Sequence, residues 1–147
     1  MTRITVLNGP SLNMLGVREP EVYGPDDYAS LCETITSFCK KNGIQLEIFQ
    51  FDLQGEIVRA INDASGISDG LVINPGGYSH TSVAVLDAMT AFRGPVVEVH
   101  ISQIHNREDF RARLLTARGA DVVISGAGFA GYTSAIHIIT DILRRKD

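Results

Sequence analysis

Ile4-Thr-Val-Leu7-Asn-Gly-Pro-Ser-Leu-Asn-Met-Leu-Gly-Val-Arg-Glu-Pro-Glu-Val-Tyr-Gly24 is an apolar strand running into a long polar connection. Its first four residues read as a buried β-strand, and a helical pattern begins near Asp26. A strand-to-helix connection ordinarily takes about 2–6 residues, and longer ones serve as lids or binding loops. We expect a lid over about residues 8–25, because Asn8, Ser11, Asn13, Arg18, Glu19 and Tyr23 are interleaved there with Pro10, Gly16, Pro20 and Gly24. Arg18 and Tyr23 form the pair of interest. Lowering a tyrosine pKa by about three units from roughly 10 takes about 4 kcal/mol of preference for the phenolate. A neighbouring guanidinium supplies much of that.

Outward from this stretch the same strand-then-helix unit recurs. Tyr28, Leu31, Ile35, Phe38 and Cys39 fall at helical spacing between Asp26-Asp27 and Gly43. Ile44–Phe51 alternates like a strand with one covered face, and a helix follows through Ile57, Val58, Ile61 and Ala64. Gly70–Ile73 is a third strand, with a helix marked by Val83, Leu86, Met89 and Phe92. Pro95–Val99 is a fourth, followed by an expected short amphipathic helix through Phe110, Leu114 and Leu115. Asp121–Ser125 is the fifth, and a last helix spans about Tyr132 to Arg145. Five strands alternating with crossover helices predict an α/β fold: a parallel sheet covered on both faces, flavodoxin-like, as a single domain over residues 1–147. In such sheets ligands sit beyond the carboxyl ends of the strands, so the loops after strands one, three and four should meet.

A chain of 147 residues is long enough to bury a core without staples. Its net charge of −4 argues against a nucleic-acid or anionic-membrane partner. Cys32 and Cys39 share one helical face and read as buried thiols of a reducing compartment. The start of the chain lacks the layout of a signal peptide, and no run approaches the ~20 apolar residues of a membrane span. We expect a soluble, cytoplasmic protein.

Gly126-Ala-Gly-Phe-Ala-Gly131 follows a strand and opens a helix, but a dinucleotide fingerprint needs a second strand ending in an acidic residue about 20 positions on. The chain ends inside that helix, so a tight turn with close backbone packing is the better reading. His80, His100, His105 and His137 are too dispersed for a metal motif. His137 lies among the isoleucines of the last helix and reads as structural, and His105 as a loop residue. His80 and His100 each lie beyond a strand end. Glu98 stands two residues before His100, on the same side of an extended chain, where a carboxylate orients an imidazole as an acid. Asn74 and Ser102 add neutral hydrogen-bonding groups, and Arg107 and Arg111 stand one helical turn apart, either as an anion site or as a solvated basic face. A tyrosine base and a histidine acid suit proton abstraction beside a carbonyl with loss of water, without metal or cofactor.

Three segments resemble the type II 3-dehydroquinate dehydratases: Asn8–Gly24, Asn74–Val83 and Glu98–Ser102. The likeness runs along nearly the whole chain. It implies a flavodoxin-like fold and trans-dehydration of 3-dehydroquinate to 3-dehydroshikimate through an enolate, in shikimate biosynthesis or quinate breakdown. By the same resemblance Tyr23 is the base, Arg18 favours its phenolate, His100 is the acid and Glu98 supports it. Asn74, His80, Ile101, Ser102 and Arg111 match substrate contacts, with the substrate carboxylate near Ile101 and Ser102. Asp87 matches an aspartate supplied across a subunit boundary, which implies a homododecamer, a tetramer of trimers. Ser11 stands where the family usually has Asn, which holds the water that stabilises the enolate oxygen. Phe51–Gly55 and Leu114–Thr116 also depart from the family pattern. The loss of one electrostatic stabiliser predicts turnover slower by roughly 10²–10³, not absent. The rival reading is a divergent, non-catalytic paralogue that binds a cyclic polyol acid.

Overall fold

The computed structural model describes residues 1–17, 21 and 26–146. In chain order these form β1 (Arg3–Asn8), α1 (Tyr28–Lys41), β2 (Gln45–Gln50), α2 (Gln54–Ala64), β3 (Gly70–Asn74), α3 (Val83–Ala91), β4 (Val96–His100), β5 (Val122–Ser125) and α4 (Ala130–Lys146). The strands make one parallel sheet in the order β2-β1-β3-β4-β5. The five-stranded α/β expectation therefore holds.

Burial explains the sequence patterns strand by strand. β3 and β4 are buried throughout, and β1 from Ile4 onward, which is why they read as continuous apolar runs. β2 is an edge strand with Gln45, Glu47 and Phe49 on its exposed face, which is why it alternates. Successive side chains point to opposite faces. Ile4, Val6, Val72, Val97 and Val99 pack with α1 and α4, while Leu7, Leu71, Ile73 and Val96 pack with α2 and α3.

The ends of α1 follow their local chemistry. Asp27 accepts from the Ser30 N–H and hydroxyl, each at 2.8 Å, capping the first turn. At the other end Gly43 adopts φ 66°, and the Ile44 N–H reaches back to the Cys39 carbonyl at 2.9 Å. That left-handed residue ends the helix and turns the chain into β2.

The order of strands reverses between β1 and β3, whose carboxyl-terminal residues Asn8 and Asn74 lie side by side in register. The loops leaving them clasp each other. The Gly9 N–H donates to the Asn74 carbonyl at 2.8 Å, and a Cβ on Gly9 would lie 2.6 Å from the Pro75 oxygen. Only glycine allows that approach.

Several expectations change. The segment expected as a lid from residue 8 is packed in its first part, because Asn8 belongs to β1 and Leu12 and Leu15 insert into the core. Its Arg18 and Tyr23 lie outside the described residues. The amphipathic helix expected after β4 is three 3₁₀ turns, Ile104–Asn106, Asp109–Ala112 and Thr116–Gly119. Phe110 is exposed there while Ile104 and Thr116 are the buried anchors, so the segment has no continuous apolar face to dock as a helix. His137 faces solvent, between the buried Ile136 and Ile139. Cys39 is buried but Cys32 only partly, and Val83, at the first turn of α3, is exposed. Among the described residues no helix is long and apolar enough to cross a membrane.

Candidate active site

Beyond the strand ends lies a cavity of about 210 Å³. Its walls come from the loops after β1 (Pro10, Ser11, Leu12), β3 (Asn74, Gly76, Gly77, His80) and β4 (His100, Ile101, Ser102, Ile104, Arg107, Arg111). Seven of the expected site residues, Ser11, Asn74, His80, His100, Ile101, Ser102 and Arg111, thus meet around one small space. Glu98 stands directly behind His100. Asp87 does not join them; it is exposed on α3. A larger cleft of about 790 Å³ runs along β2 and α2, lined by Phe49, Phe51 and Leu53 with Arg3, Glu47 and Arg59, and it holds no histidine.

The centre of the site is a buried relay. Glu98 is fully buried, and its Oε2 lies 2.7 Å from Nε2 of His100. A carboxylate only accepts, so the Nε2 proton is donated to it and Nδ1 is left as the ring's other proton-carrying position. The second Glu98 oxygen accepts from the hydroxyl of Thr116, itself fully buried. Both carboxylate oxygens are thus engaged, and the ring is fixed from behind.

His80 is held by a different partner. Its Nδ1 lies 2.8 Å from the Arg113 carbonyl. Because that oxygen can only accept, Nδ1 carries hydrogen and Nε2 is the nitrogen left for a ligand. Arg111 donates through Nε to Glu108 at 2.8 Å and lies over the Phe110 ring, 5.3 Å from its centre. The bond from Arg111 holds the Glu108 carboxyl below its ordinary pKa. One of five donors is spent in orienting the guanidinium.

Asn74 is oriented through a phenol. Tyr132 Oη accepts from Asn74 Nδ2 at 2.9 Å and donates to Asn8 Oδ1 at 2.7 Å, while Asn8 Nδ2 donates to Tyr28 Oη at 3.4 Å. Burial holds the Tyr132 phenol above its ordinary pKa and pushes Tyr28 up to about 12. Both therefore remain neutral phenols near pH 7.

The matching family model is dehydroquinase class II, over residues 2–140. The chain belongs to the class II dehydroquinase family. Its relatives include proteins named 3-dehydroquinate dehydratase from Bartonella bacilliformis, 46% identical over 97% of this chain and 90% of that protein, and from Wolinella succinogenes, 45% identical over 96% and 85%. The crystal structure of type II dehydroquinase from Butyrivibrio crossotus superposes with a TM-score of 0.93 at 39% identity, covering 95% of this chain and 97% of that one. A 3-dehydroquinate dehydratase-like protein from Bifidobacterium longum gives 0.72 at 27% identity, over 98% and 99%.

In this family member the glycine-rich segment is a clamp on the end of β4. The Gly126 and Gly128 N–H groups donate to the carbonyls of His100 and Ile101, each at 3.1 Å, and both glycines have positive φ. The tight-turn reading of that segment holds. Among the described residues no group of three or more His, Cys, Asp or Glu is placed to hold a metal.

Sequence reasoning missed Thr116 and Tyr132, and named Asn8 only as one polar group of the connection. Thr116 belongs to a stretch whose only sequence signal is its departure from the family pattern. Tyr132 carried a signal, since it falls on the buried face of α4 with Ile136 and Ile139, where a phenol must find a partner.

Proposed function

We propose that this protein dehydrates 3-dehydroquinate to 3-dehydroshikimate, in shikimate biosynthesis or quinate breakdown, by the family's trans elimination. Tyr23, as a phenolate favoured by Arg18, takes the proton beside the ketone and leaves an enolate. His100 protonates the departing hydroxyl through Nδ1, the enolate collapses to the conjugated enone, and water is released. Glu98 and Thr116 orient the imidazole and stabilise it while it carries the extra proton. Ser11 holds a water against the enolate oxygen, Asn74 and His80 bind hydroxyls, and Arg111 with the loop at Ile101 and Ser102 receives the carboxylate.

The observation that carries this reading is the fully buried Glu98 bridging His100 and Thr116 at the edge of a small polar cavity. A buried carboxylate behind one histidine favours the protonated ring that an acid needs. The chemistry draws on no metal or cofactor. Asp87, exposed and apart from the cavity, is read as serving a neighbouring subunit in a homododecamer of four trimers, a cytoplasmic enzyme.

Mixing the purified protein with 3-dehydroquinate should raise the ultraviolet absorbance of a conjugated enone. Tyr23→Phe should abolish that rise and leave substrate affinity nearly unchanged. Substrate binding with a flat trace in the unaltered protein would identify the non-catalytic binder instead.

A further inference from the structure

Ser11 is the one non-glycine among the described residues with a positive φ, 64°, with ψ 6°. L-residues other than asparagine and aspartate seldom adopt that conformation, so something must hold it. The structure supplies a specific holder from another loop. The Ser11 N–H donates to Asp52 Oδ1 at 3.0 Å, and the same oxygen accepts from Gln50 Nε2 at 3.0 Å. Gln50 Nε2 also donates to the Gly9 carbonyl at 3.1 Å, so it holds the residue before Pro10 directly and Ser11, after it, through Asp52. The Tyr78 hydroxyl donates to the Asp52 backbone carbonyl at 3.1 Å, which ties the loop after β3 to the same point. Asp52 thus sits outside the cavity while fixing a residue that lines it. Its carboxyl is held below its ordinary pKa, chiefly by the Ser11 N–H and then by Gln50, as expected for a carboxylate that receives both bonds.

We propose that Asp52 is a positioning residue of the active site, which selects the left-handed backbone of Ser11 and so aims its hydroxyl at the water held against the developing enolate oxygen. The proposal rests on the part given above to Ser11. On the same segment Gln54 accepts from the hydroxyl of Ser82, the cap of α3.

The test is a double-mutant cycle. Asp52→Ala should lower kcat roughly 10- to 100-fold, the range for a misplaced catalytic group, and change KM less than about twofold. Asp52→Asn keeps an oxygen acceptor and should restore most of the lost kcat. In a Ser11→Ala background, where no hydroxyl remains to aim, Asp52→Ala should cost nothing further. An equal loss of kcat in both backgrounds would overturn the proposal, as would a rise in KM with kcat unchanged. Hydrogen exchange of the Ser11 amide provides a readout independent of turnover. Faster exchange in Asp52→Ala supports the assigned bond, and unchanged exchange overturns it even if the wild-type protein shows no dehydratase activity.

Discussion

At the scale of single residues, the site depends on whether each buried polar atom has a partner. Thr116→Val keeps the shape of the side chain and removes the proton given to Glu98, leaving one carboxylate oxygen buried without a donor. An unsatisfied buried group of this kind costs about 1–3 kcal/mol, more when it is charged. The variant should therefore unfold at lower urea concentration, and its kcat should fall because the His100 ring loses its fixed support. Ser11→Asn should do the reverse. Asparagine tolerates the left-handed backbone at φ 64° better than serine does, and its amide offers a water more than a hydroxyl can. We expect a gain of a few tenths of a kcal/mol in stability by denaturant titration, and a higher kcat. The pairing of Glu98 with His100 was legible because two residues apart on a strand means one face. Thr116 was not legible, since no local spacing links it to β4; the link is made by folding the 3₁₀ segment back over the strand.

At the scale of elements, legibility followed the strength of the repeating pattern. The long helices and the edge strand β2 are readable to within a few residues because their burial is periodic, and the inner strands because they are continuously apolar, while the segment between Ile104 and Gly119 misleads because its anchors are single residues. The start of α1 shows how a cap adds a pH dependence. Asp27 accepts two bonds from Ser30, and these hold its carboxyl below the ordinary value of 3.8. A depressed folded-state pKa means the carboxylate form favours folding: its contribution is complete above the unfolded value and is lost as the pH falls through the folded one. Asp27→Ala should therefore melt below wild type at pH 7, with a gap that starts to close below about pH 4. Thermal scans at a series of pH values would show it. A gap independent of pH would mean that the cap acts without its charge.

At the scale of the whole molecule, the meeting of the loops after strands one, three and four followed from one rule about where parallel sheets reverse, and the structure puts Asn8 and Asn74 at that reversal. Assembly was not legible in the same way, since a strand pattern says which face is covered but not by which chain. The open edge at β2, with Phe49, Leu53 and Ile67 exposed along one cleft, is apolar surface of the kind that neighbours cover. Asp87 allows a sharper test. If it serves an adjacent subunit, then a His100→Asn chain spoils its own site yet lends an intact Asp87, while an Asp87→Ala chain keeps its own His100 and lacks the lent carboxylate. Each variant alone should be nearly inactive. Unfolding them together and refolding the mixture should recover activity, to about a quarter of the wild-type value for random association of equal amounts, because one arrangement in four places both good residues at one site. Were Asp87 to act within its own chain, or not at all, the mixture would show only the average of its two components.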